Sequence, residues 1–202
     1  MTNLFIPHPA EALILARVPQ DLRERVARLR LMIFDVDGVL TDGRLHYGEH
    51  GETVKIFHAL DGFGLRMLHE SGIEVAFMTG RDSPTVSRRA AELGISEVQQ
   101  GVRDKSAAVA ALAQRHGLDL AEVGFMGDDI IDLAAMQRVG FAASVAEAPT
   151  YVGQAAHWIA QRPAGHGAVR ECCDLILASQ GRLGGYVANR TRSPVTAGGS
   201  EQ

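Results

Sequence analysis

Cysteine is scarce in this chain. The two present, Cys172 and Cys173, are adjacent inside a helical pattern, which excludes an ordinary structural disulfide between them and matches no metal-ligand spacing. Such usage fits a reducing cytosol. A basic stripe is also missing: 20 Lys and Arg against 24 Asp and Glu leave a net charge of -4 with the cations scattered. Nucleic-acid and membrane-surface binding therefore lack their usual electrostatic footprint. No apolar run approaches the roughly 20 residues that span a bilayer, and the N-terminus shows no basic segment followed by a cleavable apolar core. The expectation is a soluble, cytoplasmic, unexported protein. What remains is an ordinary globular composition, 202 residues with 46% hydrophobic and 22% charged, enough to bury a core as one domain.

The stretch 31–43 organises the rest. Leu31, Met32, Ile33 and Phe34 read as a strand buried on both faces, ending where Asp35, Asp37 and Gly38 arrive together. The open end of a parallel strand is where α/β sheets bind ligands, and residues two apart point the same way if the strand geometry persists. Two such carboxylates repel, so a cation, a shared proton or a lysine must lie close. The same residues also suit the start of a polar turn.

Residues 1–19 read as an extension with Pro7, Pro9 and Pro19, and 20–29 as a short amphipathic helix. Residues 44–47 and 52–57 are β-prone pieces joined across a glycine-containing turn, a hairpin projecting from the body. A helix follows from Asp61 as N-cap to Gly72, then a strand over 73–78. Ser83 and Pro84 open a helix to Leu93, 95–99 is a short strand, and Asp104 opens a helix ending near Gly117. Strand 123–126, helix 130–138, strand 140–143, a small helix at 149–153, strand 157–159 and helix 168–178 complete the series. Strands alternating with helices predict a parallel sheet covered on both faces. The glycine-rich, polar segment 184–202 reads as a mobile tail, leaving 20–183 as the domain.

The reactive side chains fall at successive strand ends: Asp35 and Asp37, then Thr79, then Lys105, then Asp128, Asp129 and Asp132. In a parallel sheet these ends share one edge. Carboxylates gathered there without His or Cys suit a hard cation, Mg²⁺ better than Zn²⁺.

Asp35-Val-Asp-Gly-Val-Leu-Thr-Asp-Gly43, Thr79-Gly80-Arg81, Lys105 and Gly127-Asp-Asp-Ile-Ile-Asp132 resemble the four motifs of the haloacid dehalogenase superfamily. Further stretches, 57–66, 100–105 and 165–177, resemble the 3-deoxy-D-manno-octulosonate 8-phosphate phosphatase family, and the similarity runs over about residues 31–183. The resemblance implies a Rossmann-like three-layer sandwich with a projecting hairpin and no cap domain, since only a hairpin, a helix and a strand fit between Gly43 and Thr79. It implies a phosphorylated sugar-acid substrate from the route to the inner sugars of lipopolysaccharide. Asp35 would be the nucleophile forming an aspartyl-phosphate, and Asp37 the general acid and base. The side chains of Asp35 and Asp128, with the Asp37 carbonyl, would hold Mg²⁺. Thr79 and Lys105 would bind the phosphoryl group, with Asp129 near the metal and Asp132 orienting Lys105. Gly80, Arg81 and Arg66 are the further candidates for substrate contact, along with His58 and His166, where relatives usually carry Asn and often Arg. The family also implies a homotetramer built on the 44–57 hairpin, whose Val54, Ile56 and Phe57 would be buried against a partner. A nine-carbon sialic-acid-like 9-phosphate is the alternative substrate. A phospho-accepting receiver domain is disfavoured because receivers place their acidic pair before the accepting aspartate.

Overall fold

Four consecutive apolar residues give β1 (Leu31–Phe34) no polar face, so both sides of the strand must be covered. In the computed structural model, which describes residues 8–191, β1 is wholly buried inside a six-stranded parallel sheet. Its side chains alternate between two cores. Met32 and Phe34 face one and Leu31 and Ile33 the other, as the two-residue period of a strand demands.

β1 pairs on one side with β4 (Glu74–Met78), which pairs with β5 (Glu97–Gln99). On its other side lie β6 (Val123–Met126), β7 (Phe141–Ser144) and β8 (Trp158–Ile159) in that order. Chain order therefore reverses at β1, the place where an open α/β sheet leaves a crevice at its carboxyl edge. The Asp35 N–H donates to the Met126 carbonyl at 2.9 Å, holding the strand tips of β1 and β6 together. Against the first core pack α2 (Gln20–Ala27), α3 (Ala59–Glu70), α4 (Pro84–Leu93) and α8 (Ala168–Ser179). Against the second pack α5 (Lys105–Arg115), α6 (Leu133–Met136) and α7 (Thr150–Ala155). This is the expected three-layer α/β sandwich. The hairpin of β2 (His46–Gly48) and β3 (Gly51–Val54) stands apart as its own two-stranded sheet, and no cap domain interrupts the described residues. No helix among them is long and apolar enough to cross a membrane.

Three sequence expectations are corrected. The lead-in is helical from Pro9 as α1 (Pro9–Leu15): Pro9 occupies the first turn, and His8 with Glu11 forms a capping box. The glycine-rich tail continues as α9 (Leu183–Thr191), because Leu183 enters the core and the Gly184 N–H donates to buried Glu11 Oε1 at 2.7 Å. A Cβ at Gly184 would stand 2.5 Å from the His8 Cβ, so only glycine permits this approach of the two ends. Residues 1–7 and 192–202, which carry the rest of the extension and tail, lie outside the described residues. Finally, Asp61 is not the cap of its own helix; His58 holds that position.

Asp61 instead caps a different helix. α8 begins at Gly167 without a side-chain cap of its own, and the buried Asp61 carboxylate accepts from the Arg170 N–H at 2.7 Å and the Gly167 N–H at 3.2 Å. Burial raises the Asp61 pKa, opposed by those two amides. Asp61→Ala leaves both donors buried and unpaired, and should cost about 1–3 kcal/mol in urea unfolding. A change within error would mean water replaces the carboxylate at no cost.

Candidate active site

Each candidate side chain reaches the carboxyl edge by local geometry. After β1 the chain makes one wide turn, closed by the Thr41 N–H to the Val36 carbonyl at 3.0 Å, with Gly38 at φ +87°. A Cβ on Gly38 would stand 2.1 Å from Asp128 Oδ2, so glycine is required both for the turn and for the approach of the facing loop. Asp104 caps α5 by accepting from the Ala107 N–H, which puts Lys105 in the first helical position, aimed at the strand tips.

The centre is a buried ion triad. Lys105 Nζ lies 2.9 Å from Asp35 Oδ2 and 2.6 Å from Asp132 Oδ1, and all three residues are under 5% exposed. Asp35 Oδ1 accepts from the Val36 N–H at 2.7 Å. Asp132 Oδ2 accepts from the N–H groups of Asp128 and Asp129 at 3.0 and 3.2 Å. Burial works against the lysine's charge, but Asp35 and Asp132 more than offset it and hold its pKa above the ordinary value.

The carboxylates outnumber the cation. Oxygens of Asp35, Asp128 and Asp132 all lie within 4.8 Å of one another. Both oxygens of Asp132 are already engaged by Lys105 and the two amides, whereas buried Asp128 Oδ1 has no hydrogen-bond partner. The open ligand position is thus on Asp128, with the Asp35 carboxylate beside it carrying one partner on each oxygen. Burial, then the charge of Asp132, raises the Asp35 carboxyl to about 7 against the pull of Lys105. Burial, then the charges of Asp35 and Asp132, raises Asp128 to about 8. An all-oxygen donor set short of positive charge fits a hard divalent cation.

The hairpin supplies what the sequence reading missed. Lys55, buried at 8% exposure, pairs with Asp37 Oδ1 and, at 2.6 Å, with Glu52. Arg81 binds Glu52 at 3.0 Å and the Tyr47 hydroxyl oxygen at 2.9 Å, and its Nε lies 3.8 Å from Asp37 Oδ2. No pattern in the sequence marked it, because the alternation is inverted in the fold: Val54 and Ile56 are exposed while the lysine between them is buried. Phe57, expected to face a partner, packs on the chain's own core instead.

The remaining candidates divide. Thr79 is buried at the tip of β4 with its Oγ1 accepting from the Arg81 N–H, and Gly80 is exposed in the turn between them. Asp129 is exposed beside Asp128, its carboxylate occupied by the Ile130 N–H at 2.6 Å. His166 lines the 380 Å³ cavity that also contains Gly38, Asp128 and Asp129, with the His58 ring 6.2 Å away. Arg66 is not brought to this edge. Seven residues of helix carry it about 10 Å from the start of α3, and its guanidinium meets the Glu92 carbonyl at the far end of α4.

These shifts have a measurable sign. Unfolded, the two carboxyls lose their protons near 3.8, whereas the folded, metal-free protein keeps them to about 7 and 8. Raising the pH through that window removes protons the folded state holds more tightly, so the metal-free protein loses stability on their account. A cation that takes the protons' place counters the loss. The Mg²⁺-induced rise in melting temperature should therefore be larger near pH 8 than near pH 5.5, measured against EDTA by differential scanning fluorimetry. An equal rise at the two pH values would remove the cation from this site, and Gly38→Ala should abolish the rise.

Known proteins resemble this chain in sequence and fold. The family model for haloacid dehalogenase-like hydrolases matches residues 94–171. The 3-deoxy-D-manno-octulosonate 8-phosphate phosphatase of Haemophilus influenzae is 41% identical over 161 residues, 80% of this chain and 89% of that protein. That of Yersinia pestis is 42% identical over 168 residues, covering 83% and 90% respectively. Among solved structures, a hypothetical protein from Xanthomonas campestris superposes with a TM-score of 0.85 at 45% identity, covering 89% of this chain and 98% of the other. The 3-deoxy-D-manno-octulosonate 8-phosphate phosphatase of Moraxella catarrhalis, solved with magnesium, phosphate and the sugar acid, gives 0.83 at 38% identity and covers 85% and 98%. The strand-end acidic site, the capless sheet and these relatives together place the chain in the 3-deoxy-D-manno-octulosonate 8-phosphate phosphatase family of haloacid dehalogenase-like phosphoric monoester hydrolases.

Proposed function

We propose that this chain hydrolyses 3-deoxy-D-manno-octulosonate 8-phosphate to the free sugar acid and phosphate, through a phosphoryl group carried on Asp35. The observation that carries the reading is the Asp35 carboxylate, held by Lys105 and the Val36 amide next to the open oxygen of Asp128. In the first step an Asp35 oxygen attacks phosphorus, the bond from phosphorus to the sugar oxygen breaks, and Asp37 gives that oxygen a proton. In the second, water attacks phosphorus, its proton returns to Asp37, and the bond to Asp35 breaks to release phosphate. Lys105 offsets negative charge so that an anionic nucleophile can approach an anionic phosphoryl group, and the Thr79 hydroxyl donates to a phosphoryl oxygen. Mg²⁺, held by the side chains of Asp35 and Asp128 and the Asp37 carbonyl, would add its charge to the same task. Asp132 holds Lys105 in place, and Asp129 adds negative charge beside Asp128.

Lys55 and Arg81 bring two cations beside Asp37, balanced by Asp37 and Glu52, and a substrate carboxylate would bind there by competing with Glu52 for them. His166, at the cavity wall, and the neighbouring His58 are the other candidate contacts. The exposed hairpin residues Leu45, Tyr47, Val54 and Ile56 support assembly into a homotetramer through that hairpin. The two free, buried cysteines suit a cytoplasmic setting.

Asp35→Asn should abolish phosphate release, and a variant that turns over normally would remove it as nucleophile. Asp37→Asn should lower kcat about 10²–10⁴-fold on the sugar phosphate but far less on an aryl phosphate, whose leaving group needs no proton. Equal losses on both substrates would deny Asp37 the acid role. A higher kcat/KM on a nine-carbon sugar-acid 9-phosphate than on the eight-carbon 8-phosphate would transfer the substrate assignment. Light scattering at micromolar concentration should give four times the chain mass; a monomer would sink the tetramer.

A further inference from the structure

The larger open cavity is not at the acidic edge. A groove of about 750 Å³ lies between the end of α1, the start of α8 and the chain leaving β8, within the range of small-molecule sites. Its apolar lining is Leu13, Ile14, Val18, Leu60, Trp158 and Leu175. Leu13 is 75% exposed and Leu60 45%, so part of this apolar surface faces water.

The charged groups around it are unevenly satisfied. Asp174 is paired with Arg170 at 2.8 Å, and Glu171 Oε2 accepts from the N–H groups of Gln161 and Arg162 at 2.9 and 3.0 Å. Both acids on the α8 wall therefore already have donors. Arg17, which follows α1, and Arg162, which follows β8, also line the groove. Among the described residues neither guanidinium makes a hydrogen bond or an ion pair. Two guanidinium groups from separate segments, neither in a hydrogen bond or ion pair although the Arg162 charge acts on Asp174, stand beside an apolar lining and one indole and are complementary to a molecule with an anionic head and a flat or linear apolar body.

We infer that this groove is a binding site for a single-chain amphiphilic anion, an acyl or aryl carboxylate, separate from the phosphatase site. The head group sits between Arg17 and Arg162, and the apolar body lies along Trp158 and the leucines. The site stands independently of the substrate assignment, since no residue lining the groove lines the acidic cavity.

Trp158 is the only tryptophan of the chain, so emission excited selectively at tryptophan reports on this groove. Decanoate below its micellar concentration should change the emission saturably, decanol should bind at least about fivefold more weakly, and inorganic phosphate should have no effect. The double variant Arg17→Glu, Arg162→Glu should weaken decanoate at least about tenfold while keeping phosphatase turnover. Leu13→Asp, at an exposed position, provides the same loss where the double variant does not fold. No saturable change, equal affinity for decanol and decanoate, or undiminished binding in the variants would overturn the proposal. It would also fall if the emission followed protein concentration together with a change of mass that Leu13→Asp abolishes, since the groove would then belong to a second copy of the chain.

Discussion

Among the described residues Lys105 is the one cation inside the cluster of Asp35, Asp128 and Asp132, and the geometry of the site follows from its two contacts. Burying an ammonium group and two carboxylates costs several kcal/mol per ion before their attraction is counted, so such a triad is weak evidence of stability. Its value lies in position. With Lys105 fixed between Asp35 and Asp132, the tip of β1 is tied to the start of α5 and to the loop after β6. Asp132 passes the constraint on by accepting from the amides of Asp128 and Asp129, which orients the Asp128 carboxylate toward the Gly38 turn. The excess negative charge that remains is what a divalent cation would neutralise, and it is why Asp35 and Asp128 hold protons so tightly without one.

The hairpin completes the site from the other side. It contributes to the sheet neither strand nor core, yet Glu52 and Lys55 reach back to Arg81 and Asp37. That inward turn of charged groups leaves Tyr47, Val54 and Ile56 outward, the reverse of the usual arrangement on a half-buried strand. One element thus joins chemistry to an apolar surface available for association. The same economy recurs away from the hairpin, where Asp61 caps α8 from α3 and Glu11 joins α1 to α9.

The parallel sheet, the order of its helices and the acidic edge were legible in the sequence because each is encoded locally. Continuous apolar runs mark strands buried on both faces, Asp104 and Ser83-Pro84 mark helix starts, and Gly94 marks a helix end in the left-handed region. Once strands alternate with helices, a parallel arrangement sends every strand end to one edge, so Asp35, Thr79 and Asp128 had to meet.

Lys55, Asp61 and Glu11 were not legible, since their partners lie elsewhere in the fold: Asp61 binds amides more than a hundred residues away, and Lys55 reads as a solvated strand charge until the hairpin folds back. Arg66 was misplaced for the same reason, its motif neighbours giving no measure of how far a helix carries it from the edge. The sequence by itself determined which residue types stand at the strand tips, because hydrophobic period and turn chemistry are properties of short segments. Only the tertiary structure decided which charges pair and which stay open, because electrostatic energy depends on distance and burial through space rather than on position along the chain.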